Sequence, residues 1–343
     1  MNIVFICNSP FQLLSSICIK EYYHKNDFCK VVLTDAAKAL KEYDIRKVKR
    51  FFDEADYLAI YEKMKNLHGY KDMELPDERV TKIVAEEIAP AIGDEYDHIY
   101  YANLHAWIYD TIRCIGHAHI RSHYYEDGMD SYIKSAHVGY GQMPESLFVY
   151  EPKMMPDFLG LPVKKIPAFI EFGPDCRENI YEIFKGSTKR QKLPANIYFE
   201  QHSDDKNDYR AMDDLFLYIC RLTENDIILK SHPRRKKINP EIGRYRWKSD
   251  MPWEMIACRE NLQGKILFNV SSRAVFTTPV FTNDRPVVIL LYRILILETG
   301  KPLEWWHINE EYVRRWAEMY GKDRVFIPGS REDLQKIMNS IRV

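Results

Sequence analysis

The chain has 343 residues, 46% of them apolar and 29% charged, with a formal net charge of −1. That balance supplies a sizeable core, and a near-neutral total gives no global field to draw nucleic acid or an anionic membrane. The length predicts two domains, and seven dispersed cysteines with no C-x-x-C pair predict reduced thiols in a cytoplasm rather than a disulfide framework.

The opening "MNIVFICNSPFQLL" has no basic segment, and Asn8 and Pro10 interrupt its apolar run, so it reads as a buried strand entering a loop rather than a secretory leader. Apolar runs rich in β-branched and aromatic residues predict further strands at 30–35, 57–62, 98–103 and 122–127. Between the last two, Ile108, Ile112 and Ile115 keep the spacing of one buried helical face. The stretch 135–194 is less regular, carries several Gly and Pro residues, and ends in the linker-like "KGSTKRQKLP". Alternation resumes with strands expected at 195–201, 226–233, 264–272, 286–292 and 324–328, and Ser330 with Asp333 opens a terminal helix. The longest apolar stretch, "RPVVILLYRILIL", is interrupted by Arg293 and falls short of the ~18 residues a membrane span needs. Strands alternating with helices predict an α/β chain of two halves, 1–188 and 189–343, whose ligands gather beyond the carboxyl ends of the strands.

Four polar signals follow strands directly. They are Asn8, Ser9 and Gln12 after the first strand, Glu126-Asp127-Gly128 after "SHYY", Lys230, His232 and Pro233 in "KSHP", and Ser271-Ser272 in "NVSSR". Each has a plain structural explanation: Asp-Gly is a turn dipeptide, proline stops strands, and serine caps helices. Taken in order they suit transfer of a group from a phosphate leaving group to an alcohol. A carboxylate takes the hydroxyl proton, while a histidine and two serines at a helix start hold the departing phosphate.

In that order the motifs resemble those of bacterial sialyltransferases, and "FICNSPFQLLSSI" resembles the first strand and loop of glycosyltransferase family 52, which contains lipooligosaccharide α-2,3-sialyltransferases. The resemblance covers residues 2 to about 280 and implies a GT-B-like fold, two Rossmann-like domains with the active site in the interdomain cleft. It implies a CMP-sialic acid donor held by the C-terminal half and a galactoside of a surface glycan as acceptor on the N-terminal half. Glu126 would be the general base, with Asp127 the alternative. His232, Ser271 and Ser272 would contact the CMP phosphate, and Asn8, Ser9, Gln12, Gly128, Lys230 and Pro233 would complete the binding set. No D-x-D string is present, so no metal and no other cofactor is expected.

Three rivals stay open. One is another sugar transfer on the same scaffold, by a polysialyltransferase or a glucosyltransferase. Another is a silent glycan-binding protein. The third is a zinc hydrolase built on His117, His119 and His123. The basic run 233–237 leaves peripheral contact with the inner face of a plasma membrane open, while no nucleic-acid module is recognised. "EWWH" (304–307) reads as packing, with a sugar-stacking role the rival, and "GYGQMP" (139–144) lacks the last glycine of a dinucleotide fingerprint.

Overall fold

The computed structural model describes residues 1–67, 78–93, 95–102, 106–115, 120–132, 144–156, 160–184, 192–203, 205–232, 235, 238–247 and 251–341. The chain divides into two compact units, Met1–Thr188 and Lys189–Val343.

The first unit is a seven-stranded parallel sheet. Its strands are β1 (Asn2–Cys7), β2 (Phe28–Thr34), β3 (Glu54–Leu58), β4 (His98–Tyr101), β5 (Arg121–Tyr125), β6 (Ser146–Val149) and β7 (Val163–Lys165), in the order β3-β2-β1-β4-β5-β6-β7. Residues 3–7 of β1 are buried without alternation, as they must be when helices cover both faces of a parallel sheet. Chain order reverses between β1 and β4, which is the switch point of a doubly wound Rossmann-like sheet.

The second unit is a five-stranded parallel sheet made of β8 (Asn196–Phe199), β9 (Ile227–Lys230), β10 (Ile266–Asn269), β11 (Val287–Leu290) and β12 (Val325–Phe326). Its order is β12-β11-β10-β8-β9, so the switch point lies between β8 and β10. The fold class is therefore the expected one, α/β with two Rossmann-like units of the GT-B type. Among the described residues no helix is long and apolar enough to cross a membrane.

Two local expectations are corrected. The run 57–62 is not one strand: β3 ends at Leu58 and a helix, Ile60–Lys65, begins at once. That helix has no side-chain cap of its own at Ala59. Instead the Asp35 carboxylate accepts the N–H groups of Tyr61 and Glu62 at 2.7 and 2.6 Å, a cap supplied from a distant part of the chain. The irregular stretch 135–194 also holds more order than its glycines and prolines suggest. It contributes β6, β7 and the helix Pro174–Ile183.

Candidate active site

In the first unit the site begins at the end of β1. Ser9 caps the helix Pro10–Tyr23, its Oγ accepting the Gln12 N–H at 3.2 Å, with Pro10 at the first helical position. The Gln12 side chain turns back so that Oε1 accepts the Asn8 N–H at 2.6 Å. Its Nε2 donates to Asp127 Oδ1 at 2.9 Å, and Asn8 Oδ1 accepts the Thr34 hydroxyl at 2.7 Å. Asn8, Ser9, Gln12 and Asp127 are thus brought together, and these bonds make the first three a scaffold for the acid.

Beyond β5 the chain reaches Glu126, which is 3% exposed. A solvated turn is therefore the wrong description of this residue. Its Oε2 accepts the Tyr132 hydroxyl at 2.5 Å and the Tyr150 N–H at 2.8 Å, while Oε1 accepts no hydrogen bond from the described residues. Burial pushes the carboxyl up to about 8 against the pull of those two donors. Gly128, at φ 89, takes the left-handed conformation that lets the chain double back. The turn Met129–Tyr132 then returns Tyr132 to Glu126, while Ser131 Oγ accepts the Asp127 N–H at 2.8 Å. Asp127 itself is half-buried.

In the second unit three strand ends matter: β8, β9 on its one side and β10 on its other. Glu200, after β8, accepts the His232 N–H at 3.1 Å and is ion-paired to Arg235. Arg235 also forms a bidentate pair with Asp213, both contacts 2.9 Å, and is 6% exposed. This member of the basic run is therefore an internal clamp on the loop after β9 and not part of a solvated loop. Pro233 and residues 234, 236 and 237 lie outside the described residues.

His232 is half-buried, and its ring stacks on that of His202 with centroids 5.3 Å apart and planes at 21°. Lys230 ends β9, half-buried, and its charge acts on the buried carboxyl of Glu254. Burial raises the Glu254 carboxyl, whose Oε1 accepts the Thr277 hydroxyl at 3.1 Å.

After β10, Asn269 brackets Ser272, accepting its N–H at 2.8 Å and donating to its carbonyl at 3.1 Å. Ser272 is the N-cap of the helix Arg273–Phe281 yet makes no side-chain cap bond. Ser271 is 3% exposed, and its hydroxyl has no partner among the described residues, as is also true of the buried hydroxyl of Ser231 next to His232. Serine as an ordinary cap does not describe this pair.

Sequence reasoning missed Glu200, His202, Arg235, Glu254 and Tyr132. "YFEQHS" carried a strand-end signal for the first two. Arg235 sat in a run read by its charge, and only the fold brings Tyr132 back to Glu126.

Of the zinc triad, His117 and His119 lie outside the described residues. His123 is buried in β5, one ring nitrogen 2.7 Å from His98 Nδ1 and the other 2.8 Å from Ser146 Oγ, which leaves no lone pair for a metal. Burial drives its pKa down to about 3, and that of neighbouring His98 also falls. His24 completes the group, bonded to Tyr100 and Asp27 and likewise lowered by burial. Of the two adjacent tryptophans, Trp306 is buried, while Trp305 is 48% exposed with its indole N–H on Asp208 at 2.7 Å.

The fold and strand-end chemistry define a two-unit α/β protein of the GT-B type. No family model matches the chain, and no curated protein matches it. Solved structures do. An α/β-galactoside α-2,3-sialyltransferase from Photobacterium phosphoreum aligns with TM-score 0.53 and 10% identity over 95% of this chain and 98% of that one. The UDP-N-acetylglucosamine 2-epimerase of Rickettsia bellii gives 0.54 and 13% over 84% and 78%. The UDP-GlcNAc 2-epimerase of Methanocaldococcus jannaschii gives 0.52 and 13% over 99% and 100%. At such identities the likeness is one of fold.

Proposed function

We infer that the protein is an inverting sialyltransferase that moves sialic acid from CMP-sialic acid to a galactoside hydroxyl of a bacterial surface glycan, with α-2,3 linkage and no metal. The observation that carries this reading is the Ser271 hydroxyl, which has no partner among the described residues. It is buried at the switch point of the second sheet, next to a helix start with no side-chain cap and across β8 from the His232 strand end. A buried hydroxyl without a partner costs about 1–3 kcal/mol, a penalty that an oxyanion at this spot would remove. The motif order and the likeness in fold to one sialyltransferase support the choice of donor.

In this reading Glu126 Oε1 takes the proton of the acceptor hydroxyl as that oxygen attacks the anomeric carbon of sialic acid. The bond from this carbon to the CMP oxygen breaks, and its electron pair goes to the phosphate. Ser271, Ser272, the N-terminus of helix Arg273–Phe281 and His232 stabilise that charge. A carboxyl raised to about 8 is a stronger base than a solvated one, which favours Glu126. Asp127 is the second reading, because it is less buried and is held by Gln12.

Calorimetric titration with CMP and with UDP tests the donor. Selective CMP binding, weakened in His232→Ala, is the expected result. Preference for UDP would overturn the sialyl donor and favour another sugar transfer, and binding of neither would overturn the nucleotide-sugar reading.

A further inference from the structure

The adjacent tryptophans 305 and 306 part company in the fold. Trp306 is packed inside, whereas Trp305, on the short turn Leu303–Trp306, keeps 48% of its surface in water. Among the described residues of this unit no other Phe, Tyr or Trp is exposed. The exposed indole is also tethered. Its N–H donates to Asp208 Oδ2 at 2.7 Å, a carboxylate wholly buried in the first turn of helix Lys206–Leu222. The Lys301 ammonium lies 4.1 Å over the indole ring and pairs with both Asp208 and Asp205, the cap of the same helix. Asp208 Oδ2 accepts a second bond, from the Ser203 hydroxyl at 2.6 Å, so one carboxylate oxygen joins Trp305 to the loop that leaves β8. The tether thus places the indole at the carboxyl end of β8, which borders the switch point where doubly wound sheets hold ligands. Leaving so much indole in water forgoes hydrophobic burial, and fixing it removes rotamer freedom. A ligand that covers the ring offsets both costs.

We propose that Trp305 is the platform on which the sugar of the nucleotide-sugar donor packs, so that the indole reads the C–H face of the sialyl group while the phosphate is held at His232 and Ser271. The inference rests on the CMP-sialic acid reading and deepens it. β8 lies between β9 and β10, so groups attached to a phosphate held by the ends of those two strands extend over the end of β8. There the tethered indole waits at the rim. Its one donor is spent on Asp208 and Lys301 covers one face, which leaves a ligand only flat carbon surface to meet. Stacking on the cytosine would be blind to which base is present, so in that role the ring would add nothing to donor choice. Against the sugar it rewards C–H groups and the acetamido methyl over more hydroxylated surface. Trp305 is in this sense a specificity residue for the transferred group, and it takes no part in the bond changes.

Calorimetric titration with CMP and with CMP-3-fluorosialic acid separates the sugar's contribution from the nucleotide's. The fluorine disfavours an oxocarbenium-like transition state, so this donor analogue survives the experiment. Trp305→Ala should weaken binding of the analogue about tenfold and leave that of CMP within about twofold. Trp305→Leu keeps apolar bulk without a flat face and should lose as much, and it decides the matter alone if the alanine variant fails to fold. Unchanged affinity for the analogue in either folded variant would overturn the proposal. An equal loss for both ligands would overturn it too, by putting the nucleoside on the ring. Wild type that ignores CMP, or that binds CMP but not the analogue, would instead sink the donor reading and this inference with it.

Discussion

The strand ends of the two units solve opposite problems. In the first, the polar groups satisfy one another: Ser9 caps, Gln12 bridges Asn8 to Asp127, and Tyr132 and Tyr150 close on Glu126. In the second, the hydroxyls of Ser231 and Ser271 are buried without partners among the described residues. The first arrangement is a finished device that positions an acid. The second keeps unmet hydrogen-bonding capacity where a ligand would supply the missing acceptors or donors. Protein interiors rarely leave such groups idle, so the contrast agrees with the proposed division between a unit that presents a base and one that receives an anion.

The comparison can be broken in order of expected effect. Glu126→Gln should lower turnover by about 10²–10⁴ if the residue is the base. The same variant should gain stability in alkali. The wild-type carboxyl, raised from 4.5 to about 8 in the fold, loses stability as pH climbs through that window, and glutamine does not titrate. Thermal melts across pH check this. Loss of turnover without the alkaline gain would mean that the carboxyl is not buried as described. In wild type, kcat/KM should rise with pH and level off above about 8, and a profile with no limb there would hand the role to Asp127.

Arg235→Ala is the largest expected stability effect, about 3–5 kcal/mol, because it strands the carboxylates of Glu200 and Asp213 in the interior. Denaturant unfolding measures it, and a loss below about 1 kcal/mol would show the clamp to be solvated.

Ser271→Ala sharpens the contrast between the units. It should weaken CMP binding about tenfold yet leave the free protein as stable as before, or more so by about 1 kcal/mol, since no hydrogen bond is lost. Gln12→Ala should do the reverse, destabilising by about 1–2 kcal/mol with little effect on CMP affinity. If Ser271→Ala destabilises like Gln12→Ala, the two strand ends are not different in kind. The smallest effect is expected from Gly128→Ala, about 1 kcal/mol, for placing a Cβ at φ 89.

Much of the architecture was legible because parallel strands buried on both faces stand out as apolar runs: β1, β4, β8, β9, β10, β11 and β12 lie within stretches read from sequence, and β2 and β5 overlap theirs. β6 and β7 did not stand out. Four and three residues long, they sit among glycines and prolines, and all three residues of β7 are exposed. The helix after Leu58 was hidden because its cap comes from Asp35, a contact that only the folded sheet creates. At the site, residues that follow strands were readable by position. Those that act through contact were not: Tyr132 reaches Glu126 only through the Gly128 turn, and Arg235 looked like surface charge until Glu200 and Asp213 closed on it.

The three imidazoles lodged under the first sheet carry one more implication. His24, His98 and His123 are held neutral in the fold but take protons readily once released, so acid feeds the unfolded chain at their expense. As pH drops below about 6.5, toward the value near 3 that His123 reaches in place, the first unit should loosen. Mild acidification would then unmake the scaffold behind the Glu126 carboxylate.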